Sequence, residues 1–101
     1  MSQFHRAAAI SEVAVGAGKT VVVEGKEIAL FNMDGKFHAI DNTCPHHQGP
    51  LGEGGLDGAI VTCPWHGWQF DITSGACLLN PQAKLASYPT KVEGDAVLIQ
   101  V

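Results

Sequence analysis

Five side chains able to bind a transition metal fall between Cys44 and His66: Cys44, His46, His47, Cys63 and His66. Thiolate sulfur and imidazole nitrogen at this density suit a soft or borderline metal or an iron–sulfur cluster. They come in two like segments, Cys44-Pro45-His46-His47 and Cys63-Pro64-Trp65-His66. Core cysteines with histidines nearby by accident would hardly repeat both the proline and the near histidine. A zinc ion would accept two Cys and two His, but a zinc finger draws both cysteines from one knuckle and both histidines from one helix. One Cys and one His from each segment suits a binuclear cluster instead, with both thiolates on one iron and both imidazoles on the other. Spacing leaves two choices open in the first segment, Cys44-x-His46 and Cys44-x-x-His47.

Such ligands need two loops held side by side, and the rest of the chain reads as short strands. Apolar or alternating runs at 20–23, 27–33, 36–40, 59–62, 69–72, 85–88 and 96–101 are broken by turn signals. The turns fall at Asp34-Gly35, Thr73-Ser74-Gly75 and Glu93-Gly94-Asp95, the first of them a hairpin. Helical periodicity is absent, apart from one turn over 11–15 that Ser11 could cap. The expectation is an all-β antiparallel sandwich or incomplete barrel, one domain over 1–101. Its ligand-bearing part lies at about 42–81.

Composition excludes several classes. Six Lys+Arg against ten Asp+Glu give a formal charge of -4, which does not suit a phosphate backbone. At 46% hydrophobic and 16% charged, the chain is not a disordered one. No apolar run approaches a membrane span, and Met1 to Ala14 lacks the pattern of a secretory signal, so a cytoplasmic protein is expected. Three cysteines argue against a fully paired disulfide framework. Gly16-Ala17-Gly18-Lys19-Thr20 looks like the end of a phosphate loop, but Val13 stands where a glycine is needed and a β-branched run follows. No nucleophile arrangement or dinucleotide fingerprint is present, so no substrate or nicotinamide site is expected.

The motif Cys44-x-His46, sixteen residues, Cys63-x-x-His66, continuing as Gly67-Trp68-Gln69-Phe70-Asp71, resembles the Rieske 2Fe–2S family. Gly49 and Gly54-Gly55 resemble its glycine-rich first loop, Asn80-Pro81 its covering proline loop, and the run to Val101 its last strand. The resemblance covers nearly the whole chain and implies one 2Fe–2S cluster in a small subdomain of two loops. It gives Cys44 and Cys63 to one iron and His46 and His66 to the other, with His47 as a neighbour. The small size resembles a stand-alone Rieske ferredoxin. That implies a one-electron carrier, not itself an enzyme, docking transiently over the cluster tip with a reductase and a terminal ring-hydroxylating oxygenase. A small subunit of assimilatory nitrite reductase and a structural zinc module are the alternatives.

Departures from the respiratory branch of the family bear on the potential. Its extra disulfide cysteines are replaced here by Gly49 and Trp65. Its Ser and Tyr, whose hydroxyls donate to the cluster, are replaced by Trp68 and Phe70. Fewer donors stabilise the reduced state less. A midpoint toward the lower end of the family range of about -150 to +300 mV is expected, and below about +100 mV. Cys77 has no partner in the motif and is read as a packed apolar residue. His5 and His38 are read as ordinary strand residues, and Trp68 and Phe70 as core. Asp71 and Gln48 flank the loops as possible hydrogen-bond partners.

Overall fold

The structure, a computed structural model, describes residues 3–42, 51–64, 67–78 and 84–101. Its strands are β1 (Phe4–Ala9), β2 (Ala17–Val23), β3 (Lys26–Met33), β4 (Lys36–Asp41), β5 (Gly55–Asp57), β6 (Ile60–Thr62), β7 (Gln69–Asp71), β8 (Ser87–Tyr88), β9 (Thr90–Glu93) and β10 (Ala96–Gln100). Single 3-10 turns lie at Ile10–Glu12 and Leu51–Glu53. Three open antiparallel sheets result, ordered β2-β3-β4-β8, β1-β10-β9 and β5-β6-β7. The expected all-β antiparallel architecture therefore stands. Among the described residues, no helix is long and apolar enough to cross a membrane.

The Asp34-Gly35 hairpin forms where the sequence places it. Both residues take positive φ, 53° and 88°, the left-handed pair that lets a two-residue turn match the twist of its strands. It joins β3 to β4 in register from Met33↔Lys36 to Ile28↔Asp41.

These two strands carry both cores. Ile28, Ala29, Leu30 and Phe31 are all fully buried, so the run is apolar without alternation because each face is covered. On one face Ala29, Phe31 and Ile40 pack with Leu51, Val61, Cys63, Phe70, Ile72, Cys77 and Leu85. On the other, Ile28, Leu30, Phe37 and Ala39 pack with Ala8, Val13, Val21, Val23, Val97 and Ile99.

Three strands were not expected. Strand β1 contains Ala7-Ala8-Ala9, residues with little preference for extended structure, and exists through its pairing with β10. Strands β5 and β9 are short and mostly exposed, with no apolar alternation to announce them. The turn near Ser11 also differs. It starts at Ile10, and Glu12 closes it by accepting the Ala9 N–H at 2.7 Å. That bond, with Lys19 at 2.9 Å from the other oxygen, holds the Glu12 carboxyl below its ordinary value.

Tyr88 supplies a measurable property. Its hydroxyl donates to Asp41 Oδ1 at 2.5 Å. Burial first, and this carboxylate second, push the phenol from 10.0 up to about 12. A pKa raised by folding gives stability that is complete below pH 10 and disappears as pH rises through 12. The parent is therefore expected to lose denaturant resistance across that window more steeply than Tyr88→Phe. Equal slopes in urea titrations from pH 9 to 12 would contradict this.

Candidate metal centre

Cys63 follows β6 directly and stands at the mouth of the loop to β7. Its N–H donates to the Trp68 carbonyl at 2.7 Å, and its carbonyl accepts from Gly67 N–H at 3.1 Å. Thr62↔Gln69 is the last ladder pair before the mouth. Outside it, the Gln69 side chain donates to Thr62 Oγ1 at 3.3 Å, and Leu78 N–H donates to the Gln69 carbonyl at 2.9 Å. The Cys63 residue is 1% exposed and packs in the core with Phe70 and Val61. A sulfur anchored on rigid strands at a loop mouth can serve as a soft metal ligand. A thiolate held there would be balanced by the cation it binds.

The first ligand segment leaves from the end of β4 at Asn42 and returns at Leu51. Asn42 joins these two ends. Its carbonyl accepts from Leu51 N–H at 2.8 Å, and its Oδ1 accepts from Gly52 N–H at 2.8 Å and from Thr20 Oγ1 at 3.0 Å. The returning chain then passes the second mouth. At Gly54 an added Cβ would overlap the Thr62 carbonyl, one residue before Cys63. The two mouths are thus adjacent, as a site fed from both loops requires.

A third segment is tied to the same place. Asp41 N–H donates to the Ala86 carbonyl at 3.0 Å, and its Oδ2 accepts from Ala86 N–H at 3.2 Å. Leu85 N–H donates to the Gly75 carbonyl at 2.8 Å.

Of the four expected ligands, Cys63 is described and stands as above. Cys44, His46 and His66 lie outside the described residues, as do His47, Gln48, Gly49, Trp65, Asn80 and Pro81. Cys77 is 4% exposed, free, and bridged to Phe70 within the core, as a packed residue should be. Phe70 is fully buried, and Trp68 packs against the same core. Asp71 Oδ1 accepts from Thr73 N–H at 2.8 Å and from its hydroxyl at 2.6 Å, so it shapes the 71–75 turn rather than a ligand loop. His5 Nδ1 lies 3.3 Å from Glu24, and His38 pairs across from Phe31 in the central sheet.

Asn42 escaped the reading of the sequence. The available signal was a polar amide two positions after the buried Ile40 and two positions before Cys44.

Charge is divided along the chain. Residues 37–83 contain four carboxylates, Asp41, Glu53, Asp57 and Asp71, and no Lys or Arg. The remaining residues hold six of each sign, so residues 37–83 account for the whole formal charge of -4. Glu53 and Asp57 are exposed there, as is Leu78 at 51%.

Known proteins are similar to this chain in sequence and fold. The ferredoxin component of the naphthalene 1,2-dioxygenase system of Pseudomonas aeruginosa is 38% identical over 96 residues, covering 94% of this chain and 92% of that one. The biphenyl dioxygenase ferredoxin subunit of Pseudomonas sp. (strain KKS102) is 36% identical over 98 residues, covering 95% and 90%. By their names, these relatives are ferredoxin components of oxygenase systems, electron carriers rather than catalytic subunits. A solved ferredoxin from Sphingomonas yanoikuyae B1 superposes with a TM-score of 0.88 at 34% identity over 98% of this chain and 99% of that one. Residues 3–89 match the family described as Rieske [2Fe-2S] domain. The zinc reading of the two Cys-His segments is thereby replaced: the chain belongs to the Rieske 2Fe–2S family, and its cofactor is a Rieske-type 2Fe–2S cluster.

Proposed function

We propose that this chain is the electron-carrying ferredoxin of a ring-hydroxylating oxygenase system. It would receive an electron from a reductase and deliver it to a terminal oxygenase in the cytoplasm. The observation that carries this reading is the near full-length match to ferredoxin components of dioxygenase systems, over 94% of this chain. A solved complex of reduced oxygenase and oxidised ferredoxin in carbazole 1,9a-dioxygenase supports the oxygenase partner, at a TM-score of 0.84 and 28% identity.

Cys44 and Cys63 are assigned to one iron, and His46 and His66 to the other. The donor set fits: the one ligand described, Cys63, is a nearly inaccessible sulfur held by main-chain bonds at a loop mouth. When bound, the cluster supplies a single one-electron couple, at a potential above that of an all-cysteine cluster. The chain's own residues fix the ligands, keep water from Cys63 and present the surface around the tip. With its net charge confined to 37–83, that surface suits a partner face rich in Lys and Arg. Such an encounter is small and brief.

Purified protein should be red-brown and, once reduced, give a rhombic EPR signal averaging below the free-electron value. It should pass electrons from a naphthalene-type ferredoxin reductase to its oxygenase. Between 20 mM and 500 mM salt, the second-order rate should fall by about tenfold or more, because exposed charges are screened within a few ångströms at the higher value. A chain that instead copurifies with a large nitrite reductase subunit and fails to serve the oxygenase would overturn the proposal. That alternative rests on fold likeness, for example a putative nitrite reductase small subunit from Mycobacterium tuberculosis at a TM-score of 0.91 and 25% identity.

A further inference from the structure

We infer that Asn42 is a positioning residue for the cluster, acting through the mouth of the 43–50 loop; the inference rests on the assignment of Cys44 and His46 as ligands. Asn42 is 2% exposed. A buried primary amide is retained in a core when its hydrogen bonds are met. Here they are met by three separate parts of the chain. Oδ1 accepts from Thr20 on β2 and from Gly52 on the return of the loop. Nδ2 faces Glu27 Oε1 at 3.4 Å, and the Asn42 N–H donates to the Glu27 carbonyl at 3.3 Å. With its carbonyl taken by Leu51 N–H, every polar group of the residue is engaged.

The closure leaves no room to shift. An added Cβ at Gly52 would stand 2.5 Å from Thr20 Oγ1 and 2.6 Å from the Thr20 nitrogen. The loop's returning end is therefore pressed main chain to main chain against β2, and only glycine permits it. The eight residues between Thr43 and Pro50, Cys44 and His46 among them, start and finish at one side chain. An amide that fixes both ends of a ligand loop fixes the distance the loop must span, and so the placement of its ligands. Partners that orient ligands from behind in this way commonly change metal affinity by about 10- to 100-fold when removed.

The structure contains its own control. Asn32 is also buried, at 4%, and also uses both ends of its amide, donating to the Val13 carbonyl at 2.8 Å and accepting from Gly35 N–H at 2.9 Å. Its bonds hold the other end of β3 and touch neither loop mouth. Loss of fold stability alone would follow either replacement, whereas altered ligand placement would follow only loss of Asn42.

The test compares holoprotein of the parent, Asn42→Ala, Thr20→Val and Asn32→Ala, at a temperature where all are folded. The g-values of the reduced cluster are read by EPR, and the rate of iron loss to a chelator is read by absorbance. Asn42→Ala should shift or broaden the g-values and speed iron loss by about tenfold or more. Thr20→Val, which removes one of the two donors to Oδ1, should move both in the same direction by less. Asn32→Ala should lower the unfolding midpoint while leaving both readouts at parent values. Parent g-values and iron-loss rate in both Asn42→Ala and Thr20→Val would overturn the inference. So would an equal change in Asn32→Ala. If Asn42→Ala does not fold, Thr20→Val decides. The ligand assignment is read separately from Cys44→Ser and His46→Ala. A native signal in either would overturn that assignment, whatever the Asn42 series gives.

Discussion

Replacing Cys63 by serine is expected to give a colourless chain that retains no iron and shows no EPR signal after reduction. Serine keeps the size of the side chain but offers a hard, protonated oxygen in place of the thiolate assigned to the iron. The position is 1% exposed, in a core with Phe70, Val61 and Leu51. A hydroxyl is more polar than a thiol and costs more to bury, so the variant should also unfold at lower denaturant than the parent apoprotein. Cys77→Ser is the matched comparison. It lies in the same core at 4% exposure and should lose stability while keeping its colour. Undiminished iron in Cys63→Ser would refute the assignment of its sulfur. Loss of iron in Cys77→Ser at full folding would show that the odd cysteine is no bystander.

Phe70→Ala should carry the largest effect on the fold. The ring is fully buried, opposite Val61 in the ladder and bridged to Cys77, on the strand that continues from the second ligand loop. Truncating a buried phenylalanine to alanine costs about 3–5 kcal/mol, from lost transfer energy and the cavity left behind. Against a total of about 5–15 kcal/mol, this takes a large share of the stability. Val22→Ala removes apolar atoms from an exposed site, 67% accessible, and should change stability by no more than about 0.5 kcal/mol. Chemical denaturation of both settles the matter: similar midpoints would mean that the buried ring does not hold this core together. Because Cys63 packs in the same cluster, Phe70→Ala should also release iron faster than the parent.

The centre of the fold was legible because the turn chemistry and the apolar runs agree. Asp34-Gly35 demanded a two-residue turn, and Glu27 to Met33 offered a strand apolar enough for two covered faces. The bounds of β8 and the existence of β1, β5 and β9 were not legible. Strand β1 owes its conformation to a partner distant in sequence, as Phe4 does to Gln100, and β8 to β4, whereas β5 and β9 are short arms of local hairpins with β6 and β10, too polar to stand out. The proposed ligands could be picked out because cysteine and histidine are scarce and their spacing is constrained. The hydrogen-bonding frame behind them could not. Asn42 contacts Thr20, Glu27 and Gly52, and nothing local to Asn42 announces residues so far apart. Cys77 was separable from the ligands because it stands outside both Cys-Pro segments, and its place beside Phe70 agrees.

The two-faced sheet of β3 and β4 also orders the making of the protein. Every described member of the core that includes Cys63 lies between Ala29 and Leu85, whereas the opposite core draws on both Ala8 and Ile99. The core that includes Cys63 therefore closes over shorter stretches of chain than the pairing of β1 with β10, which joins residues as far apart as Phe4 and Gln100. Closing so long a loop is the entropically slow step. The pocket around Cys63 can thus form before β1 and β10 join.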